Sequence, residues 1–586
     1  MRDRREFIRD LTLAGAAVAT GAGAEAAAQK AQQPGTGSVT RPNIVLILAD
    51  DMGYSDIGCY GSEIETPALD RLAAGGMRFS QFYNAPRCCP SRASLLTGVY
   101  SHQANMGMMV SDYGRYPFPA YEGDLNPQCV TIAEALKTNG YSTLMSGKWH
   151  LTPIAENAAM AGMSFDNHNW PLQRGFDHFY GVIAGAADYY DPATLVRDNQ
   201  PIRETAADFY LTDGIADNAV AMMESEAKLG KPFFLYTAFN APHWPLQAPE
   251  PIVAKYRARY ARGWDQLRAD RHAKQLRMGL LQSRWAMTQR DPRVPAWSRA
   301  SYKQWEIERM AVYAAQIDIM DRGIGRMIAA LERLGQLDNT LVLFMADNGG
   351  NYEEIGRMAP GTKRPVYMRE HARSGAPLVP GNDPSFMPGP GTTFQSYGGP
   401  WGNASNTPFR MYKHFAHEGG ISSPLVAHWP GGIRGRGTIT HQLGHEIDIM
   451  ATCLEVSGTA YPAQSKAHTT PPPLEGRSLL PVFRGGSVSN RGMLFWEHEG
   501  NCAVRDGKWK LVSAWPETWE LYDMDTDRTE LHNLADTYPE QVVRLGTAYR
   551  TWAARVGAQP WPMPQTPPGE RGGTLPLPDY LKTDRT

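Results

Sequence analysis

Four short runs along the chain are apolar and β-rich, and each breaks abruptly into polar residues. Residues 43–49 read NIVLILA and stop at Asp50 and Asp51; residues 141–146 stop at Gly147-Lys148-Trp149-His150. Residues 233–239 stop at Asn240-Ala241-Pro242-His243, and residues 340–346, TLVLFMA, stop at Asp347-Asn348-Gly349-Gly350. A strand with one wet face alternates apolar and polar positions; runs that are apolar throughout predict strands buried on both faces of a mostly parallel sheet. Residues 130–138 and 309–334 carry the amphipathic spacing of helices that cover such a sheet. The fold class is therefore α/β. Ligands of open α/β sheets sit beyond the carboxyl ends of the strands, so the four polar terminations are predicted to share one edge.

The residue types at that edge are selective. Asp50, Asp51, Asp347 and Asn348 offer the hard oxygen donors that Ca²⁺ or Mg²⁺ takes, and no Cys/His set with zinc spacing accompanies them. Taken singly, an Asp pair after a strand or an Asp-Asn-Gly run is ordinary turn chemistry, and one histidine is ordinarily a structural hydrogen-bonding residue. Their coincidence at four strand ends, together with Lys148, His150 and His243, is what points to a catalytic site.

Between the first two runs lies CCPSRASLLTG, residues 88–98. Pro90 suits the first position of a helix, whose free N–H groups and dipole favour an anion. This segment resembles the sulfatase signature C-x-P-S-R followed by leucine, threonine and glycine, in which the first cysteine is oxidised to Cα-formylglycine. That register makes Cys88 the modified residue and Cys89 the variable one. The resemblance, to bacterial arylsulfatases among others, extends over most of the chain. It includes Pro42-Asn43-Ile44-Val45, Gly147-Lys148-Trp149-His150, Ala241-Pro242-His243, Ala346-Asp347-Asn348-Gly349, Pro408-Phe409-Arg410-Met411-Tyr412-Lys413, Glu418-Gly419-Gly420-Ile421 and Leu521-Tyr522-Asp523. One departure stands out: many relatives place an arginine after the Glu-Gly-Gly-Ile run, where this chain has Ser422-Ser423.

The resemblance implies an alkaline-phosphatase-like three-layer sandwich with a large mostly parallel sheet, followed by a smaller C-terminal α+β domain with a short antiparallel sheet. With the boundary at Gly485-Gly486, the catalytic domain spans residues 41–485, the C-terminal domain 487–565 and a tail 566–586. Asp506-Gly507 predicts the turn of a hairpin, and residues 539–556 a helix with proline in its first turn. The implied activity is hydrolysis of organic sulfate esters, aryl or related, to an alcohol and inorganic sulfate. Asp50, Asp51, Asp347, Asn348 and modified Cys88 are the implied ligands of Ca²⁺, with Mg²⁺ as the alternative ion, and Arg92 holds the formylglycine. Lys148 and Lys413 neutralise the sulfate oxygens, His243 binds the substrate and protonates the leaving alcohol, and His150 takes the remaining proton of the formylglycine diol. A formylglycine-generating enzyme is the implied maturation partner. Two other readings stay open at this point: a phosphonate monoester or phosphodiester hydrolase using the same diol and metal, and a sulfate-ester-binding protein in which Cys88 is never modified.

Composition narrows the partners. A chain of 586 residues, 42% hydrophobic, can bury a large core, and its net charge of -2 gives no global reason to expect nucleic acid or an anionic membrane as partner. Arg4-Arg5-Glu6-Phe7-Ile8-Arg9, the Ala/Gly-rich residues 11–24 and Ala26-Ala27-Ala28 read as a twin-arginine signal peptide, residues 1–28, with the twin-arginine export machinery as partner and a periplasmic or secreted destination. No later segment has the length to form a stable membrane span. Six cysteines in so long a chain do not make a disulfide scaffold. Residues 255–303 hold thirteen Lys/Arg against three Asp/Glu and read as helices, either a basic rim to the cleft or a solvated face. Residues 351–406, rich in Gly, Pro and Ser, read as a long loop beside the metal ligands. His417, Glu418 and the run Trp496-Glu497-His498-Glu499 read as candidates to face the cleft, His417 and His498 equally as surface residues.

Overall fold

The computed structural model describes residues 41–110, 117–154, 167–359, 361–489 and 491–563. The signal peptide expected at 1–28 and the tail at 566–586 lie outside the described residues. Each of the four apolar runs is a strand: β1 (Asn43–Ala49), β3 (Ser142–Gly147), β7 (Phe233–Ala238) and β8 (Thr340–Ala346). They form the centre of a ten-stranded sheet with β2 (Met77–Tyr83), β4 (His178–Val182), β5 (Leu195–Arg197), β6 (Gln200–Pro201), β11 (Ser422–His428) and β12 (Thr438–His445). The spatial order is β12-β2-β11-β8-β1-β7-β3-β4-β5-β6. From β8 to β4 every pairing is parallel; β11 runs against both its neighbours, and β5 against β4 and β6. A two-residue pairing of β9 (Val379–Pro380) with β10 (Thr393–Phe394) lies in the long loop after β8.

The strand period of two divides β1 between two apolar layers. Val45, Ile47 and Ala49 join Met310, Ala314 and Ile317 of the helix Lys303–Arg333 and Ile215 and Ala219 of the helix Leu211–Leu229. Ile44, Leu46 and Leu48 join Ala93 and Leu96 of the helix Cys88–Thr97, Ile132 and Leu136 of the helix Ile132–Lys137, and Met450 and Cys453 of the helix Asp448–Ser457. Both faces are thus covered, giving three layers. Thr131 opens the helix Ile132–Lys137 with a reciprocal capping box to Glu134, a device that contributes about 1 kcal/mol and sets the helix start.

The smaller antiparallel sheet is a meander of β13 (Leu494–His498), β14 (Asn501–Asp506), β15 (Trp509–Ser513) and β16 (Glu520–Asp523); the hairpin is where the sequence placed it, but its turn is Gly507-Lys508, one residue later than expected, because Asp506 still pairs with Trp509. The helix Pro539–Val556 covers it through Leu545, Trp552 and Val556. Tyr83, Ile421 and Ile447 from the large sheet region share one cluster with Leu494, Trp496, Ala503 and Val512, so both sheets stand in one compact unit. Buried charge locks that junction: Lys510 Nζ lies 2.9 Å from Glu418 Oε1 and 2.8 Å from Glu530 Oε1. Arg528 Nε lies 3.3 Å from Glu418 Oε2, and its Nη2 donates to Ser422 Oγ at 2.8 Å, so a guanidinium reaches the Ser422-Ser423 position from the C-terminal segment.

Two sequence expectations change here. The helix of the CCPSR segment starts at Cys88 rather than Pro90, with Arg87 as its N-cap in extended conformation, so the two cysteines sit inside the first turn. The basic segment 255–303 does form helices, Glu250–Tyr260 and Gly263–Arg277, and its cations divide: Arg262, Arg277, Arg284, Arg299 and Lys303 are exposed, as a solvated face requires, while others are drawn inward. Arg271 is buried against Asp56 and Glu63, Arg257 pairs with Glu250 and Glu308, and Lys255 with Glu65 and Asp318. Carboxylates distant in sequence thus neutralise part of the run, on the side that packs against the domain.

Candidate active site

The four strand ends converge as the α/β rule requires. Asp50 and Asp51 follow β1, Lys148 and His150 follow β3, His243 follows β7 by a short turn, and Asp347 and Asn348 follow β8; all seven are buried. Gly147 closes β3 at φ 123, and a Cβ there would lie 1.9 Å from the Ala238 carbonyl oxygen. Only glycine permits that approach, which lets the Lys148 N–H donate to the same carbonyl at 2.7 Å and turns the lysine into the site. Asp51 (φ 62) and His150 (φ 58) are left-handed non-glycine residues, a conformation that costs about 1–3 kcal/mol and is found where surrounding structure imposes it. At Asp51 the constraint is visible: its N–H donates to Asp347 Oδ1 at 3.1 Å.

Cations and carboxylates interleave. Lys148 Nζ donates to Asp50 Oδ2 at 2.5 Å, and Lys413 Nζ lies 2.7 Å from Asp51 Oδ1. Arg92, one turn along the helix from Cys88, donates through Nε and Nη2 to Asp347 Oδ2 at 3.1 and 2.9 Å and through Nη1 to the Lys148 carbonyl at 3.0 Å. Cys88 Sγ stands 3.7 Å from Asp51 Oδ1, whereas Cys89 turns into the apolar layer, where its sulfur accepts the Val110 N–H at 3.2 Å. His243 Nδ1 lies 2.7 Å from the Trp244 carbonyl, which places a proton on Nδ1 and directs Nε2 to Asp51 Oδ2 at 3.4 Å.

The electrostatics are those of a crowded, buried site. Burial raises Asp51, but Lys413 and His243 outweigh it and hold the carboxyl at about 2. Burial and the adjacent Asp50 push Asp347 up to about 7 against Arg92 and Lys148. Burial lowers His243 to about 3 and His150 well below its ordinary value, so both imidazoles are neutral, and it pushes the Cys88 thiol far up. A metal ion fits this donor set. One oxygen or sulfur atom from each of Asp50, Asp51 and Cys88 and a nitrogen of His243 lie within 4.8 Å of one another. Asp50 Oδ1 and Asn348 Oδ1 are buried without a hydrogen-bond partner, which is costly for an acceptor unless a cation answers it.

Sequence reasoning missed a supporting layer. Asn351 Nδ2 donates to Asp51 Oδ2 at 2.9 Å and to Glu353 Oε2 at 3.2 Å. Glu353 also accepts from Trp244 Nε1 at 3.0 Å and pairs with Arg87 at 2.7 Å. One carboxylate thereby ties the N-cap of the Cys88 helix to the loop after β8 and to the residue beside His243. The available signals were adjacency alone, Arg87 before Cys88 and Asn351 after Gly350. His417 and Glu418, read as cleft or surface, are neither: His417 is buried against Glu520 at 3.0 Å, and Glu418 belongs to the junction cluster. Glu497 accepts from His102 and Tyr121 in the interior. All six cysteines are buried and unbonded.

Residues 42–459 match the sulfatase family model. The chain belongs to the sulfatase family. Overlapping that match, residues 409–547 fit the model for the C-terminal part of N-sulphoglucosamine sulphohydrolase. This sulfatase is 32% identical to an uncharacterised sulfatase of Schizosaccharomyces pombe, the similarity covering 88% of this chain and 94% of that protein. It is also 32% identical to an arylsulfatase of Klebsiella aerogenes, over 78% of this chain and 94% of the relative. Among solved structures, that of Ps i-CgsB in complex with k-i-k-neocarrahexaose superposes with a TM-score of 0.62 at 24% identity, covering 90% of this chain and 96% of that one, which establishes the shared fold. The sulfatase is accordingly a sulfuric ester hydrolase acting on organic sulfate esters, and its buried acidic cluster can hold a metal.

Proposed function

We propose that Cys88, converted to Cα-formylglycine, carries the sulfatase reaction beside a Ca²⁺ ion on Asp50, Asp51, Asp347 and Asn348, with Mg²⁺ as the alternative ion. The observation that carries this reading is the position of Cys88 Sγ, 3.7 Å from Asp51 Oδ1 and so beside an oxygen donor set with two unanswered acceptors. An unmodified thiol held protonated by burial is a poor nucleophile. Formylglycine supplies geminal hydroxyls, one able to attack sulfur and the other able to lose its proton so that sulfate leaves as the aldehyde returns. The dication supplies Lewis-acid polarisation of a sulfate oxygen.

The chain's own residues supply the rest. Three carboxylates face three cations here, Lys148, Lys413 and Arg92, so the polypeptide alone is near neutral and a dication turns the pocket net positive, as binding of an anionic ester requires. Lys148 and Lys413 stand as fixed point charges for the sulfate oxygens, strongest where charge builds in transfer. Arg92 fixes Asp347 and stays on the nucleophile's helix face. His150, neutral and with Nδ1 buried and unpartnered, is suited to accept the diol proton. An anionic ester beside His243 raises its proton affinity, so Nε2 takes up a second proton from solvent as the ester binds and is then set to give it to the leaving oxygen.

The catalytic part is assigned to residues 41–485, where every one of these side chains lies, and the C-terminal domain to 487–565. Maturation by a formylglycine-generating enzyme and twin-arginine export to the periplasm or exterior complete the reading; no helix among the described residues is long and apolar enough to cross a membrane. Peptide mass measurement at Cys88, after co-expression with a formylglycine-generating enzyme, tests it. Conversion of sulfur to a carbonyl at that residue together with turnover of aryl sulfates is expected; full activity with an intact Cys88 thiol would exclude it.

A further inference from the structure

A second convergence of ligating atoms lies outside the oxygen-rich site. His414, His498 and Glu499 each place one nitrogen or carboxylate oxygen so that all three atoms fall within 4.8 Å of one another. His414 follows Lys413 in the loop before β11, His498 ends β13, and Glu499 opens the turn to β14. His414 Nδ1 is 3.6 Å from Glu499 Oε2 and His498 Nε2 is 3.9 Å from Glu499 Oε1, too long for hydrogen bonds. Ligands that share one ion at about 2 Å each stand roughly 3–4 Å apart. His414 (φ 90) and Glu499 (φ 50) are both left-handed, a conformation uncommon for these residue types.

The decisive atom is His498 Nε2. Nδ1 of the same ring faces the Gly107 carbonyl at 3.3 Å, which assigns the proton to Nδ1 and leaves the lone pair on Nε2. That Nε2 is buried without a hydrogen-bond partner, in a side chain with no solvent exposure, and it points at the carboxylate across a gap. A backbone carbonyl holding the far nitrogen is the arrangement that orients metal-bound histidines. His414 retains 16% side-chain exposure, which opens a way in for an ion. The neighbouring cation Arg87 is compensated by its pairing with Glu353 at 2.7 Å.

We propose that His414, His498 and Glu499 bind one borderline transition-metal dication of the Zn²⁺ class, at a site separate from the oxygen set on Asp50, Asp51, Asp347 and Asn348. Two imidazoles and one carboxylate select such an ion over Ca²⁺, which takes six or more oxygens, and leave a fourth position for water or a ligand atom. The inference is independent of the state of Cys88.

The test uses the full mature protein saturated with Ca²⁺ and titrated with ZnCl₂, with metal content measured after gel filtration. One equivalent of Zn²⁺ retained beside undiminished Ca²⁺ is expected, with His498→Ala and Glu499→Gln each weakening Zn²⁺ binding by more than about 10-fold. Co²⁺ in place of Zn²⁺ should give the visible absorption of a four- or five-coordinate, nitrogen-ligated ion. Equal Zn²⁺ retention by wild type and variants, or Zn²⁺ bound only by displacing Ca²⁺, overturns the proposal. Should His498→Ala misfold, Glu499→Gln and the wild-type Co²⁺ spectrum decide, and a six-coordinate, oxygen-only spectrum overturns it.

Discussion

Lys413 and Asp51 are separated by 362 residues, yet the ammonium nitrogen sits 2.7 Å from one carboxylate oxygen and 2.9 Å from the other. The pair is buried, and its consequence is that the Asp51 charge is compensated by the protein itself, without an ion.

Metal removal should therefore abolish activity without unfolding the chain. Chelated protein is expected to keep its circular dichroism and to regain turnover with Ca²⁺ or Mg²⁺ better than with Zn²⁺, because the donors are oxygen. Saturating Ca²⁺ should add about 2.7 kcal/mol of stability at 100 times its Kd, read as a rise in unfolding midpoint. Full turnover in metal-free protein, verified by elemental analysis, would refute the site.

Replacing Lys148 or Lys413 by alanine should lower kcat by about 10²–10³-fold, the size of effect seen when one fixed transition-state donor is lost. The paired carboxylate is left uncompensated, which alone would cost about 3–5 kcal/mol in a buried pair, but bound Ca²⁺ answers it, so the Ca²⁺-loaded variants should stay folded. A rise confined to KM would mean that the lysines bind substrate and transition state equally.

Cys88 and Cys89 differ in direction as well as register, the first facing Asp51 and the second the apolar layer. Cys89→Ala should still acquire an aldehyde that reacts with hydrazide probes and should keep measurable turnover; Cys88→Ala should do neither. Cys88→Ser retains an oxygen nucleophile but no route of elimination, so a single trapped sulfate ester is expected. Repeated turnover by Cys88→Ser, or an aldehyde mapped to Cys89, contradicts the mechanism.

Acid should loosen the junction of the two sheets. Burial raises Glu520, but the hydrogen bond and charge of His417 prevail and depress it from 4.5 to about 2. A depressed carboxylate contributes stability that is complete above its unfolded value and is lost as pH falls through the folded one, here between about 4.5 and 2. Urea midpoints measured from pH 7 to pH 2 should fall less steeply for Glu520→Gln than for wild type over that window. Parallel curves would remove Glu520 from the acid response.

By itself the sequence determined the central strands, the polar residues at their ends and the hairpin between β14 and β15, because each is written in local periodicity or turn chemistry. NIVLILA can bury both its faces only inside a covered sheet, and Asp50 and Asp51 must then emerge at its end. Tertiary structure alone decided what neutralises what. Residues 255–303 read as a basic surface until Asp56, Glu63, Glu65, Glu308 and Asp318 arrive from other elements. Asn351 and Glu353, in a segment without periodicity, join the site through hydrogen bonds to Asp51, Trp244 and Arg87. His417 and Glu418, polar in sequence, lie in the interior because Glu520, Lys510 and Arg528 complement them there. Long-range charge pairing leaves no mark on local sequence, since either partner alone looks like a solvated side chain; only the packed chain brings the two within reach and removes the water between them.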